Sequence, residues 1–406
     1  MEKKPGAKLM AVLPAAVAML LCSCTAYAPT SRSALKENDI ARYEAVRQHL
    51  DNVIKYGRDT YRTKPVPLFA NGINVETNEH VRWTNYDRKS YVLCNFASQQ
   101  NLYRTLDLMT VLSGDRRYRQ AAEEAVRYMF ENYTSKTGLI YWGNHTFVDL
   151  ISLKVIVPSD ESRVHEIKDT FPYYEMMRRV DKKATSRYIK AYWGSHVQNW
   201  DRLEFDRHGY YAKMSDQVWT QEPKDFGLFY ETRNLTFIGT ANDLVYSAAV
   251  EYLDTGNKDA LKWARHLAYQ YQRAKNPDTG LTGYQYSIYA NSERGSAPLS
   301  GDRAKKQFCP ELRKAVYEHE ILMPGTAVGV YGYNALMSLH IAGKLGQEGK
   351  EYLDWTARGL KAFAEYAYDP EANNFKVILT DGTDISEFRF PRDGYYGPAG
   401  VSFGRY

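Results

Sequence analysis

Apolar residues recur at helical spacing along most of the chain, with polar residues on the opposite face. This pattern predicts amphipathic helices over about 37–56, 95–112, 116–133, 161–179, 183–201, 236–254, 257–274, 325–344 and 350–367. Strand-like alternation is rare and short. Loops rich in Gly, Asn and Tyr span 64–92, 205–233 and 276–320. Loops of this length in a compact domain usually carry function.

One helix-and-turn pattern occurs more than once. Gly114 starts the first copy and Gly256 starts the second. A Thr-Gly-Leu turn follows the helix in each copy, at 137–139 and at 279–281, so the glycine and the turn are separated by the same number of residues in both copies. A looser third copy runs from near Gly349 to Asn373. Repeated helical hairpins predict an all-α fold, an (α/α) toroid or barrel of about six to seven hairpins. We expect one such domain over 37–406.

The N-terminal segment predicts export. Residues 1–23 carry three lysines followed by an apolar run that is too short to span a membrane comfortably. The run Leu-Cys-Ser-Cys resembles a bacterial lipobox, which makes Cys24 the lipidated residue and 24–36 a tether. A plain cleaved signal peptide is the alternative. We therefore expect a lipoprotein of a Gram-negative bacterium, periplasmic or at the cell surface, that meets the membrane only through its lipid anchor.

Composition narrows the class of protein. The chain is 44% hydrophobic and 25% charged, which excludes disorder and coiled coil. Its net charge of +5 falls to +3 without residues 1–23, which hold three lysines and one glutamate. The lysines and arginines form no dense basic block, which argues against nucleic-acid binding. Cys94 and Cys309 are the cysteines beyond the signal region; they either form a bridge or are two buried thiols. We expect a monomer.

Three histidines stand in unusual surroundings: His145, His165 and His208. His145 and His208 lie among glycines and aromatic residues, and His165 precedes Glu166 within the predicted helix 161–179. Neighbours on a helix point about 100° apart, so His165 and Glu166 cannot both bind one ion. Two imidazoles and one carboxylate suit a divalent transition metal and leave coordination positions open.

These residues resemble a known active site. His145, Glu166 and His208 follow one another in the order and at the spacing of the metal site of polysaccharide lyase family 2, and Arg207 stands at the position of its base. This family comprises pectate lyases of bacterial periplasm. The phrases NFASQQNLYRTLD and FPYYEMM also resemble it, so that the resemblance covers most of 45–310. It implies an (α/α) barrel and a divalent metal. Mn is the first candidate for this metal, and Ni, Co and Zn are the alternatives.

The implied reaction is β-elimination on a polyuronate such as pectate. A metal on the uronate carboxylate lowers the pKa of the C5 proton, a base removes it, and the bond to O4 breaks to give a 4,5-unsaturated end. The resemblance implies Arg207 as the base, although a guanidinium rarely gives up its proton. Arg207 could instead clamp the substrate carboxylate; Tyr210 or Tyr211 could then carry the proton, and Asp206 could orient either group.

Substrate contacts are predicted from residue type and from loop context. Arg233 and Arg303 would bind uronate carboxylates, and Trp142 and Tyr174 would stack on sugars. Solvated loop charge and core packing are the alternatives. The predicted function is an acidic-polysaccharide lyase. A glycoside hydrolase using two carboxylates, with Asp149 among the candidates, and a non-catalytic glycan-binding lipoprotein remain open.

Overall fold

The computed structural model describes a large part of the chain, with gaps. The described residues are 37–84, 88–143, 146–157, 165–166, 171–201, 203–225, 238–273, 275–281, 321–322, 332–376, 378–384 and 386. They group into two compact units. The N-terminal unit comprises the described residues within 37–196 and 208–216, and the C-terminal unit comprises those within 197–207 and 217–386. That residues 37–406 form one domain stays a prediction.

Helices make up most of the regular structure. In chain order they are α1 Glu37–Tyr56, α2 Gln100–Ser113, α3 Arg116–Asn132, α4 Tyr174–Val180, α5 Lys182–His196, α6 Ile238–Thr255, α7 Lys258–Arg273, α8 Asn334–Leu345 and α9 Lys350–Tyr366. A 3₁₀ turn, Gly346–Gly349, joins the last two. No described helix is long and apolar enough to cross a membrane.

The strands are very short. They are β1 Trp83–Thr84, β2 Ser90–Tyr91, β3 Leu93–Cys94, β4 Phe147–Asp149, β5 Val155–Ile156, β6 His165–Glu166, β7 Val197–Asn199, β8 Glu204–Phe205, β9 His208–Gly209, β10 Ile321–Leu322, β11 Tyr368–Asp369, β12 Asn374–Phe375 and β13 Ile378–Leu379. All pair antiparallel: β3, β4 and β5 form one small sheet, and the others pair as β1–β2, β6–β9, β7–β8, β10–β13 and β11–β12.

Successive helices pack side by side within each unit. In the N-terminal unit α2 packs on α3, α3 on α4, and α4 on α5; in the C-terminal unit α6 packs on α7, and α8 packs on both α6 and α9. Each amphipathic helix buries its apolar face, as Leu106 and Met109 of α2 and Ala122 and Met129 of α3 show. The prediction of a mainly helical fold built from hairpins is confirmed over the described residues. The number of hairpins and the closure of a toroid stay predictions.

The internal repeat has the same local geometry in its first two copies. Gly114 and Gly256 have φ of 75° and 73°, and each donates its N–H to a carbonyl of the helix it ends. This left-handed conformation is the usual helix C-cap and favours glycine. In the third copy Gly346 follows the helix with φ 59° and ψ −121°, which is not the left-handed helical conformation, and Gly349 ends the 3₁₀ turn.

Three predicted helices differ from the structure. The predicted helix 95–112 begins only at Gln100. The predicted helix 161–179 begins only at Tyr174, because Pro172 disfavours helical backbone at the residue before it; within the earlier part, His165–Glu166 is a strand. The predicted helix 183–201 ends at His196, and the chain continues as β7.

Candidate active site

Strands β6 and β9 bring two of the predicted metal ligands together. Glu166 and His208 are directly opposite each other in this antiparallel pair, although they are distant in the chain. The His208 Nε2 atom lies 3.6 Å from Glu166 Oε1. The Glu166 side chain is fully buried and that of His208 is 29% exposed. The pair therefore places a carboxylate in the protein interior behind an imidazole that reaches solvent.

The separation of these two atoms fits a shared cation. At 3.6 Å the contact is longer than a normal hydrogen bond. Two ligand atoms each about 2.1 Å from one ion, at tetrahedral or octahedral angles, lie roughly 3–3.5 Å apart. A buried carboxylate oxygen and an imidazole nitrogen are also donors that first-row divalent metals accept. The described residues contain no cluster of three or more such ligands, and His145, the third predicted ligand, lies outside them.

His165 points away from this pair, and the strand explains why. Adjacent residues of a strand face opposite sides, so Glu166 can face the site only if His165 faces the core. His165 is fully buried, with its Nδ1 2.8 Å from His196 Nε2 and its Nε2 3.2 Å from the Tyr188 hydroxyl. Burial, together with His196, holds the pKa of His165 well below its ordinary value, so this imidazole is neutral.

His196 also supports the second strand. A Cβ atom added to Gly209 would lie 2.5 Å from His196 Nε2, so the backbone of β9 packs directly on that ring. Gly209 immediately follows His208. The His165–His196 pair therefore fixes β6 and β9 from the core side and, through them, the positions of Glu166 and His208. His196 carries no signal of this contact in the sequence, because it lies at the end of a regular helix.

The chain just before His145 packs against Glu166. Gly143 has a φ of 113°, and a Cβ atom there would lie 2.7 Å from the Glu166 Cβ. The Asn95 side chain donates to the Gly143 carbonyl at 2.6 Å, and the Glu166 N–H donates to the Trp142 carbonyl at 3.4 Å. Only glycine permits both this backbone conformation and this close approach.

Tyr211 anchors the same segment. Its hydroxyl accepts a hydrogen bond from Trp142 N–H at 3.0 Å and donates one to the Trp142 carbonyl at 3.1 Å. Burial raises the pKa of Tyr211 well above its ordinary value. These contacts occupy the hydroxyl, so Tyr211 positions the backbone and is a poor proton carrier. Tyr210, the other candidate, is half-buried.

Two predicted sugar-stacking residues are in the core instead. Trp142 is 1% exposed and packs on Phe96 and His165, and Tyr174 is fully buried beside Tyr188. Neither ring presents a face to solvent. This placement differs from the predicted substrate contact and matches the core packing that the sequence left open. Large aromatic residues on the apolar face of a helix or hairpin are buried for hydrophobic reasons alone.

The remaining predicted residues divide into two groups. Arg207 is half-buried and Asp206 is buried; both belong to the C-terminal unit and immediately precede His208. Arg233, Arg303 and Cys24, like His145, lie outside the described residues, and so does Cys309. Cys94 is a buried thiol whose pKa is raised by burial to about 12.

Asp149, a carboxylate considered for hydrolysis, has a structural role. It accepts hydrogen bonds from the backbone N–H groups of Val92 and Ser152 and from the Ser152 hydroxyl, at 3.1, 3.0 and 2.6 Å. These bonds fix the turn after β4. A carboxylate held in this way is not placed as an acid or base at a scissile bond.

The family is shown by comparison with known proteins. The family model described as periplasmic pectate lyase matches residues 66–406, most of the chain. The chain therefore belongs to the periplasmic pectate lyase family. It is 34% identical over 373 residues to the pectate disaccharide-lyase of Dickeya dadantii (strain 3937), a match that covers 88% of this chain and 67% of that relative. The predicted family and the predicted enzyme class, a lyase, are confirmed.

Solved structures give more distant likenesses. The α-1,2-mannosidase from Trichoderma reesei matches at a TM-score of 0.49 with 12% identity, covering 87% of this chain and 65% of that chain. Cellobiose 2-epimerase from Bacillus thermoamylovorans B4167 matches at 0.39 with 11% identity, covering 88% and 96%. At these TM-scores neither likeness carries weight for the fold, which rests on the helices themselves.

Proposed function

We propose that this member of the periplasmic pectate lyase family cleaves pectate by metal-assisted β-elimination at the Glu166–His208 pair. The observation that carries the proposal is the register of β6 and β9, which sets a buried carboxylate opposite a partly exposed imidazole. The 34% identical relative is itself a pectate disaccharide-lyase. A polyuronate is also the substrate that a metal-bound carboxylate can activate without a nucleophile.

The bond changes balance without water. The proton on C5 of a uronate leaves, its electron pair forms the double bond between C4 and C5, and the bond from C4 to O4 breaks. O4 takes a proton and becomes the new end of the departing chain. The other product carries a 4,5-unsaturated uronate.

Glu166 and His208 would hold a divalent metal, with His145 as the third ligand by family resemblance and Mn as the first candidate. Bound there, the metal would withdraw electron density from the uronate carboxylate and acidify the C5 proton. Glu166 supplies the negative charge from the interior. His208 lies between it and solvent, where a substrate carboxylate can approach.

Arg207 and Tyr210, on either side of the His208–Gly209 strand, are the residues we assign to proton transfer and to substrate orientation. As a base, Arg207 would have to lose a proton, which needs a neighbouring cation to lower its pKa. As a clamp, its planar fork would bind the substrate carboxylate through two parallel hydrogen bonds. In the second case Tyr210 would carry the proton.

Removing the metal tests the proposal. Purified enzyme treated with EDTA should lose the ultraviolet absorbance increase that accompanies the unsaturated product, and Mn²⁺ should restore it. His208→Ala should abolish Mn²⁺ binding in calorimetry and lower kcat/KM by about 100-fold or more. His49→Ala is the matched control, because His49 is exposed on α1.

Two results would contradict the proposal. Full elimination activity in EDTA, or in His208→Ala, removes the metal from the reaction. New reducing ends without the absorbance increase would instead mean hydrolysis, and binding of pectate without turnover would mean a glycan-binding lipoprotein.

We also propose that the protein acts in the periplasm or at the cell surface, attached through a lipid on Cys24. The family is described as periplasmic. The lipobox-like run at the N-terminus supports the attachment.

A further inference from the structure

A second cleft lies within the C-terminal unit, among helices α6, α7, α8 and α9. It is partly open to solvent, and its empty volume of about 620 Å³ includes some of that open space. Its walls share no residue with the site at Glu166 and His208. The lining that matters for recognition is Asn242, Tyr271, Lys275, Asn334, Tyr352 and Trp355.

Lys275 gives this cleft a positive charge that no carboxylate neutralises among the described residues. Its Nζ donates only to the backbone carbonyl of Trp355, at 3.5 Å. Burial, reinforced by the nearby Arg358 guanidinium, lowers the pKa of Lys275 to about 8. A half-buried ammonium held near a second cation is a site where an anionic ligand gains more than it would at the open surface.

Tyr352 adds a polar atom that the described fold does not use. The residue is 3% exposed, and its hydroxyl makes no hydrogen bond to any described residue. Leaving a buried hydroxyl unsatisfied costs about 1–3 kcal/mol. Packing does not need this hydroxyl, because the Tyr352 and Trp355 rings meet edge to face at 5.6 Å and a phenylalanine ring would make the same contact.

The other walls suit a hydroxylated ligand. Asn242 donates to the Asn334 side chain at 2.8 Å, which fixes two amides at the cleft. Trp355, which is half-buried, supplies aromatic surface. Aromatic faces combined with amides and a hydroxyl are the usual surroundings of a bound sugar, and the added ammonium selects a sugar that bears a carboxylate.

We propose that this cleft binds a small acidic sugar, with its carboxylate on Lys275 and a hydroxyl on Tyr352. The inference rests on the C-terminal unit alone and does not depend on the proposed reaction. It gives the protein a second carbohydrate site that needs neither Glu166 nor His208.

The test is calorimetric titration of the full-length protein in EDTA with sodium D-galacturonate and, separately, with galactose, which has an uncharged hydroxymethyl group in place of the carboxylate. Galacturonate should bind more tightly than galactose. Lys275→Met and Tyr352→Phe should each weaken galacturonate by about tenfold. Lys361→Met, at an exposed position of α9 outside the cleft, should bind as the unchanged protein does.

Thermal melting separates a loss of binding from a loss of folding. Tyr352→Phe should melt no lower than the unchanged protein, because it removes an unsatisfied hydroxyl, and pectate cleavage by both cleft variants should be unchanged. The proposal is overturned if galacturonate does not bind, if galactose binds equally well, or if Lys275→Met binds galacturonate normally. A lower melting temperature for Tyr352→Phe would also overturn the role given to its hydroxyl.

Discussion

At the scale of single residues, the environment of Glu166 decides its role. Its carboxylate is fully buried, whereas His208 opposite is 29% exposed. A buried carboxylate keeps its charge only where a cation or several donors face it. A metal shared with His208 would satisfy that requirement. The carboxylate of a uronate would then approach the negative Glu166 only through the metal. Under the proposed function, the arrangement would couple substrate binding to metal binding.

Arg207→Lys separates the two roles open to Arg207. Lysine keeps the positive charge but loses the planar fork, so we expect kcat/KM on pectate to fall by about 100-fold. A rise in KM with little change in kcat would identify a clamp, and a fall in kcat would identify the proton acceptor. Arg116→Lys, exposed at the start of α3, is the control. Unchanged kinetics in Arg207→Lys would remove Arg207 from both roles.

At the scale of elements, the candidate active site depends on two very short strands. β6 consists of His165 and Glu166 alone, and β9 of His208 and Gly209 alone, so the surrounding helices must hold both strands in place. The His165–His196 contact at 2.8 Å provides this support from α5. Because adjacent residues alternate in a strand, one face supplies the site and the other supplies its attachment to the core.

Gly209→Ala should disturb the site much more than Gly114→Ala. The added methyl at Gly209 would collide with the His196 ring, so β9 must shift, and we expect both Mn²⁺ affinity and activity to fall by about tenfold or more. At Gly114 the added methyl meets no atom within 4 Å, and only its φ of 75° is strained, which costs about 1 kcal/mol of stability. Calorimetry, kinetics and urea unfolding measure these effects. Equal activity losses in the two variants would contradict the packing role of Gly209.

Asp107 links three helices and predicts an acid-sensitive contribution to stability. It is buried on α2, pairs with Arg119 of α3 and Arg179 of α4, and accepts a hydrogen bond from Tyr173. Burial alone would raise the pKa of Asp107, but the hydrogen bonds from Tyr173, Arg179 and Arg119 outweigh it and lower the pKa below 3.8. The stabilisation is therefore complete above about pH 4 and is lost as the pH falls through the lowered value.

Asp107→Asn should lower the free energy of unfolding by about 2 kcal/mol at neutral pH. Urea unfolding of both proteins at pH values from 7 to about 3 measures the difference, which should shrink in acid as the unchanged protein loses its advantage. A difference that stays constant with pH would mean that the carboxylate charge does not stabilise the helices.

At the scale of the whole molecule, repeated helical hairpins form the framework of the described residues. The glycine turns at Gly114 and Gly256 have nearly equal φ, 75° and 73°, which shows that the two sequence copies fold alike at this point. The helices pack against their neighbours in the chain, so most contacts within a hairpin are local.

Cys24→Ala tests the attachment to the membrane. The variant cannot receive a lipid on this residue, so we expect it to move from the membrane fraction to the soluble fraction, with kcat/KM on a soluble substrate unchanged. Fractionation with an immunoblot measures the shift, and Cys94→Ala is the control because its thiol is buried and lies away from the N-terminus. Unchanged fractionation of Cys24→Ala would contradict lipid attachment.

The sequence by itself determined most of the helices, the first two glycine turns and the family, and through the family resemblance it indicated Glu166 and His208. Helical periodicity and C-cap glycines are local properties, and each can be interpreted within one or two turns of chain. The spacing of His145, Glu166 and His208 indicated a metal site only through family resemblance, since nothing local shows that such distant residues meet.

Only the tertiary structure decided that His165 and Glu166 lie in a strand, that His196 supports Gly209, and that Trp142 and Tyr174 are buried. The periodic pattern around His165 is compatible with a helix, and pairing with β9, a distant segment of the chain, overrides it. Apolar stacking on sugar and apolar packing in a core use the same residues, so residue type cannot separate them. Which face of Trp142 is covered depends on chain segments brought together by folding.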